Sequence, residues 1–308
     1  MKFHTIVLAG GSGYLGSVLA NYYRLKARSI IILGRKRGPD RGNVRQVAWN
    51  GKDLGPWVKE LEGSDLLVNL CGRSVNCRYN ERNRREILES RVDSTNALGL
   101  ALQLLDRPPA VWLNAASATI YREAMDRPQD EAHGETGTGF SVEVCRAWEA
   151  AFLQWQLPRT RKVVLRTGMV MGAQSEVIEK LSGLARCGLG GRQGSGDQYV
   201  SWLHEEDFAR ITEWAFHQAV DGSILNCSAP GPLRNRDLMQ MIRRQVGVPF
   251  GLPVPELLLK IGAVLIGTET ELVLKSRWVY PSVLLEGGFE FLYPEAAAAL
   301  SAIIRRRR

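Results

Sequence analysis

The sequence predicts an α/β fold in which a doubly wound parallel sheet is followed by a smaller C-terminal α/β substrate lobe. A glycine-rich turn joins the first apolar run to a helical run. Further apolar runs then alternate with helical stretches, as right-handed crossovers between parallel strands require. The alternation loosens after about residue 172. We therefore predict a nucleotide-binding domain over residues 1–172, with sheet elements contributed from about residues 205–230, and a substrate-side loop and small domain over residues 173–308.

The first predicted strand, residues 5–9, ends in a glycine-rich turn that opens a helical run over residues 15–23. Gly10, Gly13 and Gly16 permit in turn a tight bend, close approach of a pyrophosphate to backbone, and close packing of helix on strand. The positive end of the helix favours phosphate there. Glycines also form turns that bind nothing, so the position between strand and helix carries the argument. We expect a Rossmann-like cofactor site that includes Gly10, Gly11, Ser12, Gly13, Tyr14, Leu15 and Gly16.

The second predicted strand, residues 29–33, indicates which dinucleotide binds. It ends in Gly34 and the basic residues Arg35, Lys36 and Arg37, where a site for NAD would place an acid for the ribose hydroxyls. A guanidinium pairs with phosphate, whereas a carboxylate repels it. Gly34, Arg35 and Lys36 therefore predict a site for the 2′-phosphate of NADP(H). A solvated basic turn is the alternative interpretation.

Later strands are predicted at residues 65–70, 110–115 and 162–166, with helices at about residues 80–105 and 142–155. Ligands of such sheets bind at the carboxyl ends of the strands. One strand ends in a turn of Leu70, Cys71 and Gly72 that fits against a cofactor ribose, or is simply a turn. Ser117 follows the next strand, where its hydroxyl can reach a substrate oxygen or only form a turn.

Composition excludes several classes of function. The 308 residues are 45% hydrophobic and 23% charged, which suits one large domain with a smaller lobe. The net charge of +8 is dispersed except at residues 305–308, so we expect no nucleic-acid partner. No signal peptide and no apolar run of about 20 residues is evident, which predicts a cytoplasmic protein without a membrane span. Five scattered cysteines without C-x-x-C spacing predict neither disulfides nor a metal site.

Several motifs together resemble the extended short-chain dehydrogenase/reductases of the nucleoside-diphosphate-sugar epimerase superfamily. Residues 10–16 match the fingerprint and residues 117–121 match the segment of the active-site serine. A second set resembles the atypical "epimerase family" subgroup and its small C-terminal domain: residues 68–72, 86–91, 143–149, 188–191, 194–198, 201–204 with Asp207, 226–230, 254–255 and 288–291. The resemblance implies NADP(H) binding, with Glu86, Arg91 and Val170 at the cofactor. On spacing alone, Glu86 and Arg91 would be a surface face of a charged helix.

The sequence departs from the wider superfamily at the residues that carry proton transfer. Those enzymes use a tyrosine four residues before a lysine, which lowers the pKa of the tyrosine. Alignment on Glu149 puts Ser141 and Cys145 at these positions. With Ser117 as the first catalytic candidate, Tyr121 and His204 are further ones. Alternatively, Tyr121 is a packing aromatic and His204 caps a helix.

The glycine-rich loop at residues 187–196 predicts a lid that closes over a ligand, to which Arg192, Gln198 and Trp202 offer charge, hydrogen bonds and an aromatic wall. The resemblance implies that this segment faces the substrate. A disordered loop is the alternative.

The apolar residues 257–266 predict a core of the small domain, an oligomer face or an apolar pocket. We expect a monomer or homodimer acting on an unknown small molecule. Two hypotheses follow: an NADP(H)-dependent oxidoreductase or epimerase, and a non-catalytic NADP(H)-binding sensor.

Overall fold

Seven parallel strands form the central sheet of the computed structural model, which describes residues 2–266, 269 and 271–305. The strands of the described chain are β1 (Phe3–Ala9), β2 (Ala27–Gly34), β3 (Val44–Ala48), β4 (Leu66–Asn69), β5 (Val111–Ser117), β6 (Arg161–Thr167), β7 (Met169–Met171), β8 (Tyr199–Val200), β9 (Trp202–His204), β10 (Ser223–Cys227) and β11 (Leu233–Arg234). The order β10-β6-β5-β4-β1-β2-β3 confirms the predicted doubly wound α/β sheet.

The helices surround this sheet and build the C-terminal lobe. They are α1 (Tyr14–Tyr23), α2 (Glu81–Gln103), α3 (Phe140–Leu153), α4 (Glu176–Leu184), α5 (Glu205–Gln218), α6 (Asn235–Gln245), α7 (Glu256–Ile266), α8 (Glu271–Leu274), α9 (Ser282–Glu286) and α10 (Ala296–Arg305). Short 3-10 turns occur at Pro56–Leu61 and Ala118–Ile120, and a π turn at Ala185–Leu189 extends α4. None of the helices in the described ranges is both long and apolar enough to cross a membrane.

Strand β1 is buried on both faces, which explains its continuous apolar sequence. Ile6 and Leu8 pack with α1 and α5 on one face, whereas Val7 and Ala9 pack with α2 and α3 on the other. The chain runs from β1 outward to β2 and β3 and then returns to β4 on the other side of β1. This reversal opens a crevice above the carboxyl ends of β1 and β4, the usual ligand position in such sheets.

The sheet is completed by a strand that comes late in the chain. Strand β10 pairs in parallel with β6, and Leu225 lies opposite Leu165. It falls within the range, residues 205–230, from which sheet elements were expected. The division of the chain into two domains remains a prediction, because β10 and α5 belong to the sheet layer although they follow residue 172.

The C-terminal lobe has a separate apolar core formed by α4, α6, α10 and Trp202. The loop predicted as a lid is ordered against this lobe: Gly191 N–H donates to the Leu252 carbonyl at 3.1 Å and Gly194 N–H to the Val254 carbonyl at 2.9 Å. The described part of helix α7 does not form the core of the small domain, which was one of three roles expected for its apolar sequence. Leu257, Leu258 and Ile261 are 69%, 56% and 50% exposed, so this part of α7 does not belong to the core of the small domain.

Candidate functional site

The glycines of the fingerprint turn have two roles: Gly10 and Gly16 are required by the fold, whereas Gly13 leaves space for a ligand. Gly10 has φ of +71°, and a Cβ there would lie 2.8 Å from the Cys71 nitrogen. A Cβ on Gly16 would overlap the backbone of Gly11. Gly13, the N-cap of α1, has an ordinary φ of −85°, and a Cβ there would meet only the Gly10 carbonyl oxygen, at 3.9 Å. The surface over Gly13 is therefore open, as a bound pyrophosphate requires.

The start of α1 can bind an anion, and a hydrogen bond to α5 fixes its position. No side chain caps this helix end, so its positive end faces the loop. The Tyr14 hydroxyl donates to Glu205 Oε2 at 2.7 Å, which ties the start of α1 to the start of α5. A Cβ on Gly172 would overlap both partners of this bond. The Tyr14–Glu205 bond thus fixes the start of α1 and leaves the surface over Gly13 open for a phosphate.

The basic segment after β2 lies beside the fingerprint. A Cβ on Gly34, which is buried, would lie 3.5 Å from the Ser12 hydroxyl oxygen. The next residues, Arg35, Lys36 and Arg37, are exposed. Among the described residues, no carboxylate forms an ion pair with any of these three side chains. The cations are therefore available to a phosphate next to the dinucleotide loop.

The turn after β4 is held by a buried amide network that sequence reasoning missed. The Asn69 side chain donates to Asn114 Oδ1 at 2.7 Å and accepts from the Cys71 N–H at 3.1 Å. The two asparagines face each other in the β4–β5 register, so polar residues at paired positions of two apolar strands were the available signal. Leu70 N–H donates to the Ala9 carbonyl at 2.8 Å. Burial raises the pKa of the Cys71 thiol to about 12 and keeps it neutral.

Helix α2 brings Arg91 toward this turn, while Glu86 is held in ion pairs. A Cβ on Gly72 would lie 3.0 Å from the Arg91 guanidinium carbon. Arg91 donates to the Ile87 carbonyl at 2.9 Å, lies 5.1 Å from the Trp148 ring, and has a pKa lowered by burial. The Glu86 carboxylate pairs with Arg73 and Arg82. Contact of Glu86 or Arg91 with the cofactor remains a prediction.

A cavity of about 120 Å³ lies at the Ser117 end of β5. It is somewhat smaller than the roughly 150 Å³ cavity that holds benzene in an engineered protein. Apolar side chains and a few hydroxyls line it, as is usual in small-molecule sites: Val75, Tyr79, Ile87, Arg91, Ser117, Thr119, Phe140, Ser141, Val144, Cys145 and Trp148. The Ser117 hydroxyl donates to Oγ1 of Thr119, another lining residue, at 3.0 Å.

The residues at the tyrosine and lysine positions of the superfamily line the same cavity but do not form an acid–base pair. Ser141 donates to Glu271 Oε2 at 3.0 Å, a contact across 130 positions that no local pattern predicts. Burial raises the pKa of the Cys145 thiol to about 12, so it is neutral and no base near pH 7. Tyr79, which sequence reasoning missed, also lines the cavity.

Tyr121 and His204 occupy structural positions outside this cavity. Tyr121 is 2% exposed, and its hydroxyl donates to Asn226 Oδ1 and accepts from Arg166, both at 2.9 Å. His204 is 1% exposed and caps α5, with Nδ1 accepting from the Glu206 N–H at 3.1 Å. Both arrangements match the alternative interpretation of the sequence. Neither side chain reaches the Ser117 cavity in this structure.

Of the loop residues expected at the substrate, Trp202 and Gln198 are buried and Arg192 is exposed. Trp202 is fully buried and donates to the Gly231 carbonyl at 2.8 Å. Gln198 is 4% exposed and donates to the Gln193 carbonyl at 2.9 Å. Arg192 is exposed and donates to the Ser195 carbonyl at 2.9 Å. None of these three residues lines the Ser117 cavity, and their place at the substrate remains a prediction.

Val170 and a second cavity lie apart from the Ser117 cavity. Val170 lies in β7 against the core of the sheet, and its carbonyl accepts from the Ser175 hydroxyl at 3.0 Å. A second cavity of about 360 Å³ contains none of the predicted site residues, and its Glu131 carboxylate holds the backbone of Asn226 and Ser282. Across the described part of the chain, no cluster of His, Cys, Asp and Glu is suited to hold a metal ion.

Comparisons with known proteins agree with this geometry. The chain matches the NAD dependent epimerase/dehydratase family model over residues 6–228 and the domain of unknown function DUF1731 over residues 254–303. It is 30% identical over 298 residues to the epimerase family protein ML0860 of Mycobacterium leprae (strain TN), covering 96% of this chain and 94% of that protein. A crystal structure of human epimerase family protein SDR39U1 (isoform 2) with NADPH superposes with a TM-score of 0.85 at 28% identity, covering 98% of this chain and 99% of that one.

Proposed function

The chain belongs to the NAD dependent epimerase/dehydratase family, and from this premise we propose that it is an NADP(H)-dependent oxidoreductase acting on a small carbonyl compound or its alcohol. The observation that carries the proposal is the cavity at Ser117. Arg91 both lines this cavity and lies against Gly72, next to the fingerprint. A cofactor on the fingerprint and a substrate in the cavity would therefore be neighbours.

The residues present fit NADP(H). Gly13 leaves room for the pyrophosphate at the start of α1, and Arg35 with Lys36 offers cations for the 2′-phosphate. The turn Leu70 to Gly72 offers backbone to the ribose. When bound, the cofactor supplies a hydride donor or acceptor at its nicotinamide. The structure of human SDR39U1, which contains NADPH, supports the choice of this cofactor.

The size and lining of the cavity support a small reacting group. A cavity of about 120 Å³ accommodates a few heavy atoms, far fewer than a whole nucleotide sugar contains. Its Ser117 hydroxyl can donate to a substrate oxygen, and the Arg91 cation can stabilise negative charge on that oxygen.

Mass spectrometry of the purified protein, native and then denatured, tests the cofactor directly. We expect NADP or NADPH to be released, or the empty protein to be stabilised by added NADPH in a thermal-shift titration. Release of NAD would contradict the assignment of Arg35. An empty protein that ignores NADPH would overturn the proposed function.

Reversing the charge at Arg35 should separate the two cofactors. Arg35→Glu removes a charge-assisted hydrogen bond worth roughly 1.5–3 kcal/mol, so calorimetry should show about a tenfold to hundredfold loss of NADPH affinity with NADH little changed. Arg28→Glu is the matched control, because Arg28 is an exposed cation near the opposite end of β2. Equal losses for NADPH and NADH in the Arg35 variant would show that this side chain is structural.

One observation favours a second function, a non-catalytic NADP(H)-binding sensor. Ser141 and the neutral Cys145 thiol replace the acid–base pair of the superfamily. A panel of carbonyl compounds and alcohols distinguishes the two functions by consumption or formation of NADPH. Product analysis is added because redox-neutral epimerisation changes no net NADPH. Binding of NADPH without any conversion would favour the sensor.

A further inference from the structure

We propose that Tyr79 is the catalytic proton donor of this site and replaces, from a different segment of the chain, the tyrosine that the superfamily places at the position of Ser141. The inference rests on the proposed oxidoreductase function. Tyr79, Ser141 and Ser117 line one cavity, although they come from the start of α2, the start of α3 and the end of β5. A phenol side chain is thus present at the cavity, but it comes from the segment just before α2 and not from α3.

The backbone and ring of Tyr79 are fixed from several sides. Its N–H donates to Glu269 Oε1 at 2.9 Å, and its carbonyl accepts from Arg84 Nε at 2.8 Å. Its ring packs edge-on against Phe140, with centroids 5.0 Å apart. Asn80, the next residue, caps α2 by accepting from the Asn83 N–H at 2.9 Å. These contacts hold the side chain without involving its hydroxyl.

The Tyr79 hydroxyl is closed off from solvent and lies beside the Ser141 hydroxyl. Ser141 donates its own proton to Glu271 Oε2 at 3.0 Å, which leaves the Ser141 oxygen as an acceptor for the Tyr79 O–H. A substrate oxygen entering the cavity would replace Ser141 as the acceptor of this O–H.

The electrostatics of the cavity keep Tyr79 in its protonated form. Burial and the nearby carboxylates of Glu271 and Glu269 raise the pKa of Tyr79, so the phenol holds its proton at neutral pH until a more basic alkoxide oxygen forms beside it and takes that proton. Arg91 places a cation in the same cavity and stabilises the negative charge that develops on a carbonyl oxygen during reduction. The fully paired hydroxyl of Tyr121 and the neutral thiol of Cys145 do not provide this function.

In a reduction, residues of this chain then donate the proton and return it from solvent. As the carbonyl carbon gains a hydride from NADPH, the O–H bond of Tyr79 breaks and the proton forms the O–H bond of the alcohol. The Tyr79 phenolate regains a proton from solvent through the Ser141 hydroxyl, which is hydrogen-bonded to Glu271. One NADPH and one solvent proton are consumed for each carbonyl reduced.

Fluorine NMR of the full chain labelled with 3-fluorotyrosine tests this placement without relying on turnover. The resonance missing from Tyr79→Phe identifies Tyr79, and the resonance missing from Tyr280→Phe identifies an exposed tyrosine outside the cavity. We expect the Tyr79 resonance to shift when NADP replaces NADPH, because the nicotinamide ring gains a positive charge, and the Tyr280 resonance to stay. A Tyr79 resonance that ignores this exchange while calorimetry shows cofactor binding would overturn the inference alone. Absence of NADPH binding would overturn the proposed function as well.

Kinetics with a substrate from the carbonyl panel provide the second arm. Tyr79→Phe keeps the packing on Phe140, so NADPH affinity should be unchanged while kcat falls by about 10²–10⁴-fold, the range of general acid catalysis. Ser141→Ala should reduce kcat less, because Ser141 only returns the proton. Unchanged kcat in Tyr79→Phe would contradict the inference.

Discussion

Replacing Glu149 with alanine should lower the free energy of unfolding by about 3–5 kcal/mol, as expected when one partner of a buried ion pair is removed. Arg166 Nε and Nη2 each donate to Glu149 at 2.8 Å, and the two side chains are only 12% and 8% exposed. The substitution leaves the guanidinium buried without a counter-charge. It also weakens the contact between Arg166 and the Tyr121 hydroxyl, which joins β6 to β10 through Asn226. Urea denaturation of both proteins measures the difference.

The matched control for this loss is Glu176→Ala. Glu176 pairs with Lys180 at 2.8 Å on α4, but the two side chains are 60% and 48% exposed. Exposed i,i+4 pairs contribute about 0.3–0.5 kcal/mol, so this variant should remain close to wild type. A similar small loss in Glu149→Ala would show that solvent enters the Arg166 site and that the pair does not stabilise the sheet.

Gly13→Val should abolish useful cofactor binding while leaving the fold intact. Its φ of −85° suits any residue, and its Cβ position has no protein neighbour closer than 3.9 Å. The new methyl groups would occupy the space where a pyrophosphate must approach the backbone. We expect NADPH affinity to fall on the order of 100-fold or more, about 2.7 kcal/mol, in calorimetry.

A second glycine in open space controls for the substitution itself. No protein atom lies within 4 Å of a Cβ on Gly183 in α4, so Gly183→Val should bind NADPH as wild type does. Thermal unfolding of both variants should match wild type within a few degrees. If Gly13→Val still binds NADPH tightly, the phosphate does not lie over the start of α1.

Local patterns predicted the sheet well because they depend on neighbouring residues. The helix expected at about residues 80–105 is α2, Glu81–Gln103, and the strand expected at residues 29–33 is β2, Ala27–Gly34. A buried parallel strand and an amphipathic helix each show their periodicity within a dozen residues. The fingerprint is a local motif for the same reason.

The interior of the candidate site was less predictable because tertiary contacts decide how polar side chains are used. Tyr121 and His204 have suitable chemistry for proton transfer, but their partners Asn226 and Tyr293 lie about 90 to 105 positions away. Tyr79 has no motif of its own and acquires its place only where α2 and α3 meet. Asn69 and Asn114 are far apart in the sequence but lie opposite each other in β4 and β5. Aligning the two predicted strands would have shown this pair of polar residues.

The position of β10 in the sheet has a consequence for synthesis on the ribosome. Six of the seven described sheet strands lie within residues 3–167, but α5 and β10 follow only at residues 205–227. Until they emerge, the face of the sheet around Ile6, Leu8 and Leu165 lacks the cover of α5, and β6 has an unpaired edge. Such partly built sheets are prone to aggregate. The nascent chain therefore exposes this face and this edge until residues 205–227 have been synthesised.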